Sequence, residues 1–283
     1  MKKSKLAGEI FAKVMMTVSV ALVLFFVISV IYSILKRGLP ILTWDMVTSL
    51  PGGGFYIGKE GGFLNAIVGS LYIVGISTVL GLVISIPVVY YLNIYLKSNS
   101  KFAYVVRLAF DVLFGVPSIV YGAFGFSIMI LLGLRTSLLG GIIVVTMLII
   151  PIFIKSMDEV MKNFPRDILD SSLSLGATKI ETLGVVVRQI APAIATATLL
   201  SIGRAIGDAA GVMFTAGFSD NIPTSLTQQT ATLPLSIFFQ LTAPQAEVQN
   251  RAYAAAVVLT IIVLLLSLGG RFITNRYSKN KIN

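Results

Sequence analysis

The chain has 283 residues, of which 56% are hydrophobic and 12% charged, with a net charge of +10 and a mean hydropathy of +0.91. Such a composition is too apolar for a soluble domain with a polar surface and reads as an all-α integral membrane protein. There is no Cys and no His, which excludes disulfides, thiolate and imidazole metal sites and histidine bases, so the chain is expected to be non-catalytic.

A helix needs roughly 20 apolar residues to cross ~30 Å of hydrocarbon. Uncharged runs of that order lie at 14–35, 63–96, 112–134, 136–154 and 252–270, and a sixth over 190–218 is interrupted only by Arg204 and Asp208. Six transmembrane helices are therefore expected, at about 10–36, 63–96, 104–134, 136–155, 190–218 and 251–272, in one transmembrane domain covering 1–283. Sixteen of the 22 Lys and Arg fall in residues 1–13, the second loop, the 155–188 loop and the C-terminal tail. The positive-inside rule then places those segments and both termini in the cytoplasm, as an even number of spans requires. The same distribution excludes a nucleic-acid partner, because no basic patch interleaves with exposed aromatics; the partner surface is the lipid bilayer.

The first apolar run is 22 residues long and no A-x-A site follows it, so it is expected to stay as a helix rather than be cleaved. The external segment 37–62 is rich in turn formers, among them Pro40, Pro51, Gly52, Gly53, Gly54, Gly61 and Gly62; it either docks a partner or covers the bundle. In the second helix, Gly69, Ser70, Gly75, Ser77, Gly81 and Ser85 offer close approach to neighbours, and Pro87 bends the helix without ending it.

The third helix carries Gly115, Val116, Pro117 and Ser118 near its middle. Ser118 either bonds its own helix backbone or offers a hydroxyl to an oxyanion. Near the cytoplasmic end, Asp111 stands four residues from Arg107, the spacing of an interfacial salt bridge.

After the fourth helix comes a cytoplasmic loop at 156–189. Ile168, Leu169 and Leu173 recur at helical spacing, Gly176 interrupts, and Ile180, Leu183 and Val187 resume the stripe. The pattern predicts an amphipathic helix, a break and a second helix lying on a surface rather than crossing it.

In the fifth helix, Arg204 and Asp208 are four residues apart and share a face. Arg204 lies ~21 Å along a helix starting near Ile190. Ionisable groups at that depth cost about 2.5 to 3.5 kcal/mol each on insertion scales. They either pair with each other and lock the packing, or face a water-filled path in which Arg204 meets an anion and Asp208 orients it. The external segment 219–250 lacks Lys and Arg and contains LPLSIFFQL at 233–241, apolar but too short to span, which predicts a re-entrant or interfacial half-helix. No G-x-x-x-x-G-K-[ST] loop occurs, so nucleotide energy, if used, enters through another polypeptide.

The run DSSLSLG from Asp170 to Gly176, followed by ATKIET, resembles the cytoplasmic E-A-A loop of ATP-binding-cassette importer permeases, with Asp-Ser-Ser where the pattern has Glu-Ala-Ala. GGFLNAIVGSL at 61–71, GVPSIVYGAFG at 115–125, GRAIGDAA at 203–210 and ATLPLSIF at 231–238 are similar to segments of phosphate-importer permeases, the last pointing to the A-type subunit.

The resemblance implies a type I importer-like bundle whose coupling helix carries Asp170, Ser171, Ser172, Gly176, Ala177, Thr178 and Lys179 into a groove of the ATPase. It implies as partners a second, C-type phosphate permease, a dimer of ATPase subunits and an extracytoplasmic phosphate-binding protein. This chain itself would bind no cofactor, ATP and Mg being used by the ATPase. Arg204, Asp208, Pro117 and Ser118 would line the translocation path. Rival readings are a permease for another oxyanion or small solute, a secondary anion transporter or channel, which the absence of repeat symmetry opposes, and an intramembrane hydrolase, which lacks a base partner.

Overall fold

Backbone N–H and C=O groups have no partner in hydrocarbon except their own helix, so the long apolar runs become helices. A computed structural model describes residues 2–52, 60–97 and 100–278. Gly53, Gly54 and Lys59 of the first external segment and Lys279 and Lys281 of the basic tail lie outside the described residues. In chain order come α1 (Lys2–Gly38), a short α2 (Trp44–Thr48), and a minimal antiparallel hairpin of β1 (Pro51–Gly52) and β2 (Glu60–Gly61). Next are α3 (Leu64–Tyr90), which continues into a π-helical turn at Tyr91–Tyr95, then α4 (Lys101–Gly115), α5 (Ser118–Leu131) and α6 (Leu138–Lys162). The remainder is α7 (Arg166–Ser174), α8 (Thr182–Gln189), α9 (Ala191–Ile206), α10 (Leu233–Thr242) and α11 (Ala246–Ser278).

Among the described residues, four helices are long and apolar enough to cross a membrane unbroken: α1, α3 with its π turn, α6 and α11. Two bent pairs, α4 with α5 and α8 with α9, complete six spans if each pair is one. The third predicted span, 104–134, is therefore not a continuous helix. It turns by 103° at Val116–Pro117, because Pro117 lacks the N–H needed to continue α4 and holds the residue before it extended, with Val116 at φ −70°, ψ 130°. The fifth, predicted over 190–218, ends as helix at Ile206 and continues as turns. The fourth runs past 155 to Lys162, taking the first part of the expected loop.

Helix α6 is the centre of the bundle. Ile142, Val145, Ile149, Phe153 and Met157 are fully buried, against α3 on one side and α9, α4 and α5 on others. The small residues of α3 allow this. The Ser77 hydroxyl donates to the Ile142 carbonyl at 3.0 Å, and a Cβ on Gly69 would lie 2.1 Å from the Ala231 carbonyl. Gly75, expected to offer the same close approach, has open space where a Cβ would stand. Pro87 is accommodated within α3 as expected. Helix α1 packs along α11, where the Arg37 guanidinium reaches the Tyr253 hydroxyl at 3.2 Å, and is otherwise exposed along its apolar length. Its Thr17 and Ser19 hydroxyls satisfy themselves on carbonyls one turn back. The half-helix expected at 233–241 is α10, ten residues long with its first turn, Leu233 to Ser236, buried.

The expected Arg107–Asp111 pair is not formed. Arg107 instead bonds the buried Asp158 carboxylate on α6, Nε to Oδ2 at 2.9 Å, and the Asn93 amide in the π turn. Asp111 pairs with Lys155 at 2.9 Å. Packing α4 antiparallel to α6 puts each acid opposite a base of the other helix, and that tertiary pairing replaces the local one.

Candidate functional site

The predicted helix–break–helix is present at one end of the bundle. Pro165 precedes α7, and Asp167 lies in its first turn, where a carboxylate complements the helix dipole. The helix closes in a Schellman motif: the Gly176 N–H donates to the Leu173 carbonyl at 3.0 Å and the Ala177 N–H to the Ser172 carbonyl at 3.3 Å. Gly176 adopts φ +89°, a conformation most L side chains avoid. Two residues on, Thr178 and Glu181 form a reciprocal capping box. The Thr178 N–H and hydroxyl donate to Glu181 Oε2 at 2.7 and 2.8 Å, and the Glu181 N–H donates to the Thr178 hydroxyl at 3.3 Å. The Thr178 donors hold the Glu181 carboxyl below its usual range.

Of the predicted docking residues, Asp170, Ser171, Gly176, Thr178 and Lys179 are exposed, and Ser172 and Ala177 are half-buried. Two apolar side chains stand among them, Leu175 at 89% and Ile180 at 72% exposure. Ile180 was expected on the packed stripe; the capping box turns it outward, and Val186 with Leu183 takes the inward face. The tip thus presents two uncovered aliphatic side chains between two closed, hydrogen-bonded turns.

The hairpin is pinned to the bundle. Tyr90, the last residue of α3, bonds the Lys179 carbonyl and lies 2.7 Å from the Thr182 hydroxyl. The Lys179 ammonium sits 5.3 Å from the centre of the Tyr95 ring. Beyond, α8 passes into α9 with a 62° bend at the buried Ile190, so the hairpin and the helix bearing Arg204 are mechanically continuous.

The predicted path residues converge on the α4–α5 bend. Pro117 is the N-cap of α5, Ser118 its first residue. The Ser118 carbonyl lies 3.6 Å from where a Gly211 Cβ would stand. Asp208 is past the end of α9, and its carboxylate accepts from the Gly211 N–H at 2.9 Å. Of the two alternatives for Arg204 and Asp208, the ion pair is not formed: a carboxylate-capped turn stands in its place, because the helix ends between them. Arg204 turns to Phe114, the last aromatic before the bend, with its guanidinium carbon 5.8 Å from the ring centre. Lys155, not expected here, approaches the same ring at 4.8 Å. Lys155 and Asp111 are about half exposed, and Arg204 is partly exposed. Phe114, Lys155, Tyr90 and Thr182 were missed because only tertiary packing gathers them; the T-x-x-E box was the one local signal available.

Residues 77–281 match the family model described as binding-protein-dependent transport system inner membrane component. The phosphate transport system permease protein PstA of Yersinia pestis is 31% identical over 88% of this chain and 84% of its own length. That of Pasteurella multocida is 30% identical over 94% of this chain and 95% of its own. Among solved structures, an inward-facing MetNI methionine ABC transporter chain superposes with a TM-score of 0.63 at 19% identity, covering 76% of this chain and 95% of that one, which establishes a shared fold.

Proposed function

The chain belongs to the binding-protein-dependent transport system inner membrane components, and on that premise we propose that it is the A-type permease subunit of an ATP-driven phosphate importer. The observation that carries the substrate is the near end-to-end similarity to phosphate permeases, at 30% identity over 94% of the chain. With a C-type permease it forms the translocation path through the cytoplasmic membrane. A dimer of ATPase subunits, using ATP and Mg, drives it, and an extracytoplasmic phosphate-binding protein supplies it. Both termini face the cytoplasm, as does the hairpin.

Residues 170–180 form the plug that seats in the ATPase. The two aliphatic residues, Leu175 and Ile180, give it apolar anchorage, and the Schellman and capping-box turns keep it rigid enough to carry force. Displacement passes by two routes: through Tyr90 into α3, and through Ile190 into α9. The second route ends at Arg204, beside the α4–α5 bend. A phosphate passing the bend meets the Arg204 fork and the Lys155 ammonium, both beside Phe114, where the guanidinium offers paired donors and the ammonium a point charge. Asp111 keeps Lys155 in place, and Asp208 shapes the turn that supports Ser118.

The test is uptake of radiolabelled phosphate into proteoliposomes containing the complete complex, with and without this chain. ATP-dependent uptake that disappears without the chain is the expected result. Uptake by the chain alone, driven by an ion gradient, overturns the reading.

A further inference from the structure

In an unbroken helix the Leu113 carbonyl would accept from the N–H of residue 117, and Pro117 has none. Inside a membrane domain a carbonyl freed in this way needs a donor from the protein. Two reach it. The Val116 N–H bonds it at 3.1 Å from within the same turn, and the Tyr121 hydroxyl donates to it at 2.8 Å from across the bend. A hydroxyl eight residues on thus takes the part of the missing N–H four residues on, and it joins the last turn of α4 to the first turn of α5. It is the one side-chain hydrogen bond between these two helices among the described residues.

The donor is itself firmly held. Tyr121 is buried, and its ring clusters with Val144 and Leu148 of α6. On either side of this contact α5 has glycine: a Cβ on Gly122 would lie 2.7 Å from the Gly211 carbonyl oxygen, and one on Gly125 would run into the Val144 side chain. Close packing against α6 and the 208–212 turn therefore fixes α5, and the Tyr121 hydroxyl carries that position back to α4. The carbonyl it grips belongs to the rigid peptide plane joining Leu113 to Phe114. Phe114 departs from that plane, and its ring is the one that the Arg204 guanidinium carbon approaches at 5.8 Å and the Lys155 ammonium at 4.8 Å.

We propose that Tyr121 is a positioning residue for transport, its hydroxyl fixing the α4–α5 angle and, through the Leu113–Phe114 peptide, the ring against which Arg204 is set. The inference rests on the importer reading above, in which Arg204 meets phosphate at the bend. It adds a residue that touches no substrate and yet decides whether the guanidinium stands where the anion passes. Misplacement of a binding group by about 1 Å is enough to cost much of its effect.

The experiment uses the complete complex in proteoliposomes with saturating phosphate-loaded binding protein. Tyr121→Phe keeps the ring in its cluster and removes only the donor. ATP-dependent uptake is expected to fall about fivefold, the worth of one hydrogen bond, while the half-saturating concentration of loaded binding protein stays unchanged, because the external face is untouched. In an Arg204→Gln background, itself expected to lose about tenfold or more, Tyr121→Phe is expected to add no further loss, since no guanidinium is left to position. The absence of Cys from the chain allows a second readout. Nitroxide labels on Tyr104→Cys in α4 and Leu131→Cys in α5, both exposed positions, report the angle between the helices in a complex whose other subunits have had their Cys replaced. Tyr121→Phe is expected to broaden that distance distribution. Normal uptake by Tyr121→Phe, an unchanged distribution, or a loss of uptake by the same factor in both backgrounds overturns the positioning role and leaves the importer reading standing. Absence of ATP-dependent uptake by the unmodified complex overturns the importer reading, and this inference with it.

Discussion

The Tyr90 hydroxyl lies 2.7 Å from the Thr182 hydroxyl and also bonds the Lys179 carbonyl, tying the last residue of α3 to the first turn of α8. Tyr90 is buried against Val186 and Met157 in the same core cluster, so Tyr90→Phe keeps the packing and deletes only the polar link. The Thr182 hydroxyl still donates to the Lys179 carbonyl at 2.7 Å, so the hairpin keeps its own turn. The expected stability loss is about 1 kcal/mol. Association with the ATPase should persist, whereas phosphate moved per ATP hydrolysed in proteoliposomes should fall. An unchanged ratio would reduce the link to packing alone.

At the hairpin tip, Gly176 has a positive φ with open space around it. Substitution there is strained by backbone, not by collision. A non-glycine residue in the left-handed region costs roughly 1–2 kcal/mol, least for Asn. Pull-down of the ATPase should therefore rank Gly176, then Asn, then Ala, then Val. Gly176→Glu should abolish it by placing a bulky charge at the docking surface, while membrane insertion, read by protease protection of the flanking loops, stays intact. Full ATPase recovery by Gly176→Glu would contradict the docking role.

How far this was legible from sequence depends on the range of the interaction that fixes each feature. The hairpin is local: a glycine at C′, a proline before α7 and amphipathic spacing are read within a turn or two of themselves, and the structure places the break at Gly176. The half-helix α10 was equally visible from its length. Charge pairing was not. Arg107 with Asp111, and Arg204 with Asp208, satisfy the i, i+4 rule, yet α6 supplies Asp158 and Lys155 as partners. Helix α9 ends before Asp208 can pair. The bend at Pro117 was signalled by the residue, but a 103° turn rather than a mild kink follows from α5 docking against the 208–212 turn, where a Cβ on Gly122 would come within 2.7 Å of the Gly211 carbonyl.

Two ion pairs on neighbouring turns of α6 should behave very differently. The Asp158 side chain is 6% exposed and joins Arg107, Lys162 and Asn93. Asp158→Asn strands a partly buried guanidinium and removes the link between α4, α6 and the π turn, at an expected cost of about 3 kcal/mol or more. The Asp111–Lys155 pair is about half exposed, so Asp111→Asn should cost no more than about 1 kcal/mol. Thermal unfolding of the detergent-solubilised complex, followed by the retention of folded material on size exclusion, separates the two. Equal melting points would show that Asp158 is not the structural tie between these helices.

Arg204 is the residue on which transport chemistry should depend most sharply. Its guanidinium stands 5.8 Å from the centre of the Phe114 ring, and neither Asp208 nor another carboxylate pairs with it among the described residues, since Asp208 is engaged by the Gly211 N–H. Removing the charge therefore leaves no stranded acid behind, and Arg204→Gln should assemble normally with the other subunits. Phosphate uptake should nonetheless fall by at least tenfold, a change of about 1.4 kcal/mol in the transport barrier, which is within the worth of one charge-assisted hydrogen bond. Arg204→Lys discriminates between two roles for the side chain. If field alone matters, the ammonium restores most of the uptake; if paired donors matter, it does not, because an ammonium offers a point charge where the guanidinium offers a planar fork. The path geometry favours the second outcome, since Lys155 already supplies a point charge 4.8 Å from the same ring. Lys155→Gln should then reduce uptake less than Arg204→Gln and change its dependence on ionic strength more, an ordering read directly from uptake rates at low and high salt. Normal uptake by Arg204→Gln would remove Arg204 from the path and leave it a packing partner of Phe114.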